Sequence, residues 1–178
     1  MKPLNLIVAM DQRNGIGKAG KLPWNLPEDM RHFKSVTLTT TVSGLRNAVV
    51  MGRKTWESIP ERFRPLAGRL NVVLTHQGNY PLPADVLRAK GLEEAMALCS
   101  ERQEKERIDQ VFVIGGASVY QQAIGHPLCR TIYVTKIEGD FGCDAFFPDF
   151  EKDFKGSERS PDSCANGIRY YFCTYVRK

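Results

Sequence analysis

Asp29 is the acid in this sequence best placed to do chemistry. It follows Pro27 and Glu28 and precedes Met30-Arg31-His32-Phe33. Proline suits the first turn of a helix, where its missing N–H would have no partner, and acids are favoured there by the helix dipole. The spacing therefore predicts a helix that opens near Pro27 with Asp29 in its first turn. If the carboxyl shares a face with the core-like residues Met30 and Phe33, burial raises its pKa and suits it to proton chemistry or to gripping a cationic ring. If it points outward, it only favours the dipole. No Ser-His-Asp or Cys-His arrangement accompanies it. His32, His76 and His126 are scattered, which reads as surface histidines and gives no metal site.

Two apolar runs that end in glycine could hold an anion. Val49-Val50-Met51-Gly52 leads into Arg53-Lys54-Thr55-Trp56-Glu57-Ser58, and Phe112-Val113-Ile114-Gly115-Gly116 leads into Ala117-Ser118-Val119-Tyr120. A strand that turns at glycine into a helix presents backbone N–H groups, a positive dipole end and, here, basic or hydroxyl side chains. Ligands of open α/β sheets collect at strand C-terminal ends, so two such ends suit a diphosphate-bearing ligand; singly, each also fits a tight turn before a helix. Gly15-Ile16-Gly17-Lys18-Ala19-Gly20 matches G-x-G-x-x-G letter for letter. The dinucleotide fingerprint also needs a helix at that point and an acid about 20 residues further on. Instead Lys21-Leu22-Pro23-Trp24-Asn25-Leu26-Pro27 follows, whose two prolines forbid a regular helix, and Ser35-Val36-Thr37-Leu38-Thr39-Thr40 holds no acid. The segment reads as a glycine-rich loop with Trp24 at its far end, either a mobile surface loop or a cover over a ligand.

Positioning these residues takes a sheet with helices packed on it. Residues 4–10, 47–51, 70–74 and 110–114 are nearly continuous apolar runs rich in β-branched side chains, as strands buried on both faces require. Helical spacing marks the segments from Pro27 past Phe33, 92–102 and 117–124. Residues 130–137 and 168–176 read as late strands with no helix between them, so they should close antiparallel, and the polar stretch 155–166 reads as a surface loop. The expected class is α/β, with a mostly parallel twisted sheet of about eight strands, an antiparallel C-terminal edge and about four helices. The 178 residues suit a single domain, 1–178. Apolar residues at 42% and charged residues at 25% exclude disorder and collagen-like repetition, and no run approaches the ~20 apolar residues of a membrane span. The N-terminus lacks a signal-peptide pattern, and Cys99, Cys129, Cys143, Cys164 and Cys173 form no disulfide or zinc spacing, so a cytoplasmic protein of reduced thiols is expected. The net charge of +5 fits nucleic acid, an anionic small molecule or neither. The one dense charge run, 101–107, alternates in sign and reads as a solvated helix end or loop, and there is no basic stripe with interleaved aromatics.

The opening strand with Ile7, Val8 and Ala9 begins a longer pattern: Gly15-Ile16-Gly17, Leu22-Pro23-Trp24, Asp29 with Phe33, and Met51-Gly52-Arg53-Lys54-Thr55-Trp56. Ile59-Pro60, Arg64-Pro65-Leu66-Ala67-Gly68-Arg69, Gly115-Gly116, Val134-Thr135 and Phe146-Phe147-Pro148 complete it. In order and spacing this resembles the dihydrofolate reductase family, over essentially the whole chain. The resemblance implies NADPH-dependent reduction of 7,8-dihydrofolate to tetrahydrofolate in a monomeric, cytoplasmic enzyme that antifolates such as methotrexate inhibit, with no metal, membrane or nucleic acid involved. It places Asp29 against the pterin's 2-amino and N3 groups, with Thr135 bonding the same carboxylate and Trp24 holding a water beside it. Ile7, Val8, Ile114 and Tyr120 would line the pterin site, and Met30, Phe33, Ile59 and Leu66 would wrap the pterin and benzoyl groups. Arg69 would clamp the substrate's α-carboxylate in the forked geometry that guanidinium suits. The loop refused as a Rossmann turn becomes a lid: Ala9 and Ile16 would touch the nicotinamide, Gly17, Lys18 and Gly20 would belong to the cofactor site, and Leu22 would shield the reaction centre.

For the cofactor's other end, the resemblance implies Arg53, Thr75, His76 and Lys90 around the adenosine 2′-phosphate. Lys54 and Thr55, with Gly115, Gly116, Ala117, Ser118, Val119 and Tyr120, would bind the pyrophosphate. His76 stands where a more permanent cation is common, so preference for NADPH should weaken as an imidazole loses its proton. Met30 replaces a phenylalanine of vertebrate members, which leaves antifolate selectivity open. The alternatives are another pterin- or pyrimidine-reducing enzyme of the same fold, which Asp29, Thr135 and Arg69 together argue against, and a basic nucleic-acid-binding domain. The last predicts salt-sensitive polynucleotide binding without NADPH oxidation.

Overall fold

The apolar runs become the buried strands of a central sheet. The structure is a computed structural model that describes residues 2–101 and 107–178; most of the charge run at 101–107 lies outside the described residues. Strands β1 (Leu4–Met10), β3 (Arg46–Gly52), β4 (Leu70–Leu74) and β6 (Ile108–Val113) are buried along almost their whole length. With β2 (Gly15–Gly17), β5 (Val86–Ala89), β7 (Cys129–Ile137), β8 (Ala145–Phe146), β9 (Phe154–Arg159), β10 (Ser163–Ala165) and β11 (Ile168–Arg177) they give two sheets. The larger runs β10-β11-β7-β1-β6-β3-β4-β5, with β9 added on β11, and β2 pairs with β8 on its own. All pairings from β7 to β5 are parallel, and those of β11 are antiparallel. The mostly parallel sheet with an antiparallel edge is the expected architecture. The polar stretch expected as a loop differs, since much of it forms β9 and β10. Their side chains are mostly exposed, so edge pairing rests on backbone hydrogen bonds and leaves little apolar alternation to read.

Among the described residues four α-helices cover the sheet: α1 (Pro27–Leu38), α2 (Arg53–Ser58), α3 (Leu92–Ser100) and α4 (Ala117–Gly125). Strand alternation sorts the core. Leu4, Leu6 and Val8 pack with Ala95, Met96, Val119 and Ala123 of α3 and α4 on one face. Ile7, Val49, Met51 and Phe112 pack with Trp56 of α2 and Phe33 and Val36 of α1 on the other. None of these four helices has a side-chain N-cap, a contribution of about 1 kcal/mol each, so burial of whole side chains at ~1.5–3 kcal/mol apiece holds them in place. Among the described residues no helix is long and apolar enough to cross a membrane.

Two buried amides connect the sheet to the loops beside it. Asn47 on β3 donates to the carbonyls of Thr37 and Thr39 at 3.0 and 2.8 Å, ending α1, and accepts from the Gln110 amide. Asn71 interrupts the apolar run of β4. Its side chain exchanges both hydrogen bonds with the Leu66 backbone, at 2.9 and 3.0 Å, and donates to the Arg69 carbonyl at 3.0 Å. Asn71→Ala leaves those backbone groups unpaired in a buried place. A loss of about 1–3 kcal/mol in urea unfolding is expected; a change within about 0.5 kcal/mol would mean the 64–69 loop is held by its other contacts.

Candidate active site

The carboxyl of Asp29 is buried at 7% exposure and accepts a 2.6 Å hydrogen bond from the Thr135 hydroxyl. Burial raises its pKa above the ordinary carboxyl value, and the Thr135 bond opposes that rise without cancelling it. Helical spacing explains the burial, because Asp29, Phe33 and Thr37 at i, i+4 and i+8 share the side of α1 that faces the sheet. Met30 lies about 100° further round and is 50% exposed, so it is not the core residue expected. Phe33 is half-buried against the sheet. The His32 ring stacks on Phe172 of β11, with centroids 3.9 Å apart.

Three other elements face Asp29 or adjoin it. Tyr120 of α4 donates to the Ile7 carbonyl at 2.7 Å, and burial and the charge of Asp29 push its hydroxyl pKa up, so it remains a donor. Val8 and Thr135 stand side by side in the β1–β7 ladder, one residue out of register. Ile114 directly follows β6 and is half-buried, its amide donating to the Val50 carbonyl. Trp24 packs edge-on against Phe141, and its buried indole N–H has no acceptor among the described residues. Leu22, beside it in sequence, is 49% exposed.

Arg69 is buried at 8% exposure, its guanidinium bonded to the Thr37 hydroxyl at 2.8 Å and the Ala67 carbonyl at 3.1 Å, and set 5.9 Å from the Phe33 ring centre. Among the described residues no carboxylate pairs with it. Leu66 and Ile59 are half-buried and pack on the same core cluster as Phe33. The 64–69 loop lies against α1, where a Cβ on Gly68 would come 2.8 Å from Leu38.

The glycine-rich loop begins at a second buried acid. Asp11 accepts from the amides of Arg13, Gly15 and Phe141, at 2.9, 2.8 and 3.2 Å, and from the Cys143 thiol. A Cβ on Gly15 would sit 2.6 Å from that of Cys143, so glycine is required by the close approach. Beyond it, β2 pairs with β8, the Asp144 amide donates to the Gly17 carbonyl, and the Asp144 carboxylate accepts from Ala19. No helix starts before Pro27, which agrees with refusing the dinucleotide fingerprint. Ile16 and Gly17 are half-buried, while Lys18 and Gly20 are exposed.

Both glycine-ended strands turn into helices side by side. The Gly52 amide donates to the Gly115 carbonyl at 2.9 Å, and a Cβ on Gly115 would come 3.2 Å from the Thr55 hydroxyl. No side chain caps the first amides of α4, at Ala117 and Ser118. Gly52, Leu74 and Ala89 are in lateral register across β3, β4 and β5, so Arg53, Thr75 and Lys90 leave three neighbouring strand ends at one level. Arg53 forms a 2.8 Å exposed pair with Glu57, worth little on its own and open to exchange for another anion. His76 and Lys54 are exposed. His126, expected at the surface, is buried between α3 and α4, accepting from the Leu128 amide and meeting Glu93 at 3.3 Å. Among the described residues no cluster of histidines, cysteines and acids could hold a metal.

A family model for dihydrofolate reductase matches residues 3–177. The chain belongs to the dihydrofolate reductase family. Rat dihydrofolate reductase (Rattus norvegicus) is 40% identical over 185 residues, covering 100% of this chain and 99% of that protein. The bifunctional dihydrofolate reductase-thymidylate synthase 1 of Arabidopsis thaliana is 43% identical over 97% of the chain, which spans only 34% of its length. The solved dihydrofolate reductase of Schistosoma mansoni superposes with a TM-score of 0.86 at 37% identity, covering 99% of both chains.

Sequence reasoning missed Thr37, Asn71 and Asp11. Asn71 is signalled by a lone amide in an apolar run, and Asp11 by an acid directly after a buried strand; Thr37 carries no such signal. A raised Asp29 pKa also ties stability to pH. Between the unfolded carboxyl value of about 3.9 and the higher folded value, the native state binds the proton more tightly, so stability falls as pH rises. Asp29→Asn keeps an acceptor for Thr135 and removes that slope. Thermal melts should give equal stability near pH 4 and a more stable variant at pH 7; a difference that does not change with pH would place the carboxyl in an ordinary solvated setting.

Proposed function

We propose that this chain reduces 7,8-dihydrofolate to tetrahydrofolate with NADPH. The observation that carries the reading is a pair of buried, uncompensated charges of opposite sign along one face of α1. Asp29 stands at its start, Arg69 is held at Thr37 two turns on, and eight residues of helix separate them by about 12 Å. Among the described residues neither has an ionic partner, and a buried charge left so is costly. A ligand with a protonatable ring at one end and a carboxylate at the other satisfies both, and Phe33 between them offers an aromatic face.

In this reading Asp29 accepts from the pterin's 2-amino and N3 groups and, by its negative charge, raises the basicity of N5. The Ile7 and Ile114 carbonyls take the ring's remaining donors, and the bond from Tyr120 fixes the first of them. Val8 lines the floor, and the Trp24 indole N–H finds its acceptor in a water beside Asp29. Met30, Phe33, Ile59 and Leu66 wrap the ring and benzoyl group; the exposure of Met30 and of Leu22 suits apolar surface that a ligand covers. Arg69 forks onto the α-carboxylate.

NADPH supplies the hydride when bound. The glycine cradle and uncapped α4 suit a pyrophosphate, with Lys54, Thr55, Gly115, Gly116, Ala117, Ser118, Val119 and Tyr120 around it. Arg53, Thr75, His76 and Lys90 at the strand ends face the 2′-phosphate. Ala9, Ile16, Gly17, Lys18 and Gly20 belong to the nicotinamide side, and Leu22 excludes water from the reacting atoms.

Dihydrofolate-dependent NADPH oxidation, followed by absorbance and abolished by methotrexate, tests the reading; its absence overturns it. Asp29→Asn should lose about 10²-fold or more in turnover at pH 7, the scale of a general acid–base contribution, and recover in part at acidic pH where the substrate arrives protonated. Arg69→Ala should weaken dihydrofolate far more than an analogue without the glutamate, and equal losses would remove Arg69 from the site.

A further inference from the structure

α1 carries the site's carboxylate, yet its first turn has no side-chain cap, and Leu26 at the N-cap offers no acceptor. Three contacts to the antiparallel edge fix it instead. Glu28 accepts from the Tyr170 hydroxyl, Asp29 from the Thr135 hydroxyl, and His32 stacks on Phe172. Their partners are neighbours in the sheet, because Tyr170 pairs with Ile137 and Phe172 with Thr135 across β11 and β7. Consecutive residues of α1, about 100° apart round its axis, thus reach two adjacent strands.

One hydrogen bond is a pivot. Without the Glu28 bond, the first turn of α1 keeps the Thr135 bond and the His32 stack but loses its tie to β11 beside Asp29, and the carboxyl can swing along β7. A second bond from the preceding residue to a different strand removes that rotation. Tyr170 is only 1% exposed, and its hydroxyl pKa is pushed up to about 12, chiefly by the Glu28 bond, so it donates throughout the neutral range. The functional reading gives Glu28 no contact with substrate, and exposed acids in first turns ordinarily need no partner beyond the helix dipole.

We infer that Glu28 and Tyr170 are positioning residues: their bond sets the rotation of α1 and thereby the direction in which Asp29 presents its free oxygen to the substrate ring. The inference rests on the proposed reduction of dihydrofolate. Misplacement of a reacting group by about 1 Å can cost ~10²-fold, so a first turn that loses one of its fixing contacts and keeps the others should lose on the order of tenfold.

Tyr170→Phe keeps the ring and removes the donor, Glu28→Ala removes the acceptor, and Glu28→Gln keeps an acceptor oxygen. Steady-state kinetics should show kcat/KM for dihydrofolate about tenfold lower in the first two, KM for NADPH unchanged, and most of the loss restored in Glu28→Gln. The double variant Tyr170→Phe/Glu28→Ala should be no worse than either single one, as members of one bond require. Amide hydrogen exchange in the ligand-free protein gives a readout without substrate: exchange from Met30 to Phe33 should quicken in Tyr170→Phe while α3 and α4 stay unchanged. Wild-type kinetics in Tyr170→Phe and Glu28→Ala, or exchange that quickens equally in all helices, would reduce the pair to an ordinary structural bond. Should the wild-type protein not oxidise NADPH with dihydrofolate, the functional reading falls, and the exchange experiment still decides whether the bond holds α1.

Discussion

A carboxylate taken out of water between a helix and a sheet, with one neutral hydroxyl as its protein partner, is the constraint on which this molecule turns. Removing a carboxylate from water costs several kcal/mol, and a single hydrogen bond from Thr135 offsets only part of that. Burial at Asp29 therefore has to be imposed by the surrounding packing. α1 is pressed onto the sheet by Phe33 and Val36 against Ile7, Val49 and Phe112, and these contacts carry Asp29 with them. The order β7-β1-β6 sets what faces the carboxyl, since it brings the end of β7 with Thr135, the Ile7 carbonyl and the end of β6 with Ile114 onto neighbouring strands.

Asp11 shows what a buried acid looks like when structure is its whole purpose. Three backbone amides and a thiol bond it, tying the end of β1 to the start of the glycine-rich loop and to the loop before β8. Asp29, by contrast, has among the described residues a donor to one oxygen only and no cation beside it. Natural proteins stand close to their stability threshold and tolerate such deficits where activity needs them. The two acids lie 18 residues apart in the chain with similar exposure, and bonding separates their roles.

The sheet was legible because its central strands are buried on both faces, which forces continuous apolar runs, and because glycine must follow where a strand turns sharply into a helix. The antiparallel edge was half legible: 168–176 stood out as apolar, whereas β9 and β10 did not, since polar edge strands pair through the backbone and leave no pattern in side chains. At the site, the family pattern pointed to Asp29, Thr135 and Arg69 as a set. The sequence alone left Asp29 between burial and exposure, because a first-turn acid fits both. It also misassigned Met30 to the core, since an apolar residue on the exposed side of a helix reads in sequence like one beneath it. Thr37, Asn47 and Asn71 went unread because their work is to satisfy backbone groups and a guanidinium brought near by tertiary folding, and short polar side chains in sequence do not announce such partners.

The opposite charges at the two ends of one α1 face also explain why they do not quench each other. Their anchor points on α1, Asp29 and Thr37, are about 12 Å apart along the helix axis, which keeps them from direct pairing. Thr37 supplies the spacing: its hydroxyl accepts from Arg69 while donating to the Phe33 carbonyl, so the guanidinium is held at the far end of the helix face instead of drifting towards Asp29. Under the proposed function, the helix thus acts as a ruler whose length selects the ligand. A molecule too short to reach both charges leaves one desolvated and unpaired, and that penalty discriminates more sharply than the attraction gained at either end. Binding of a ligand of the right length returns to the protein the electrostatic cost that folding imposed at both sites, so the folded state gains stability in proportion to the logarithm of ligand concentration.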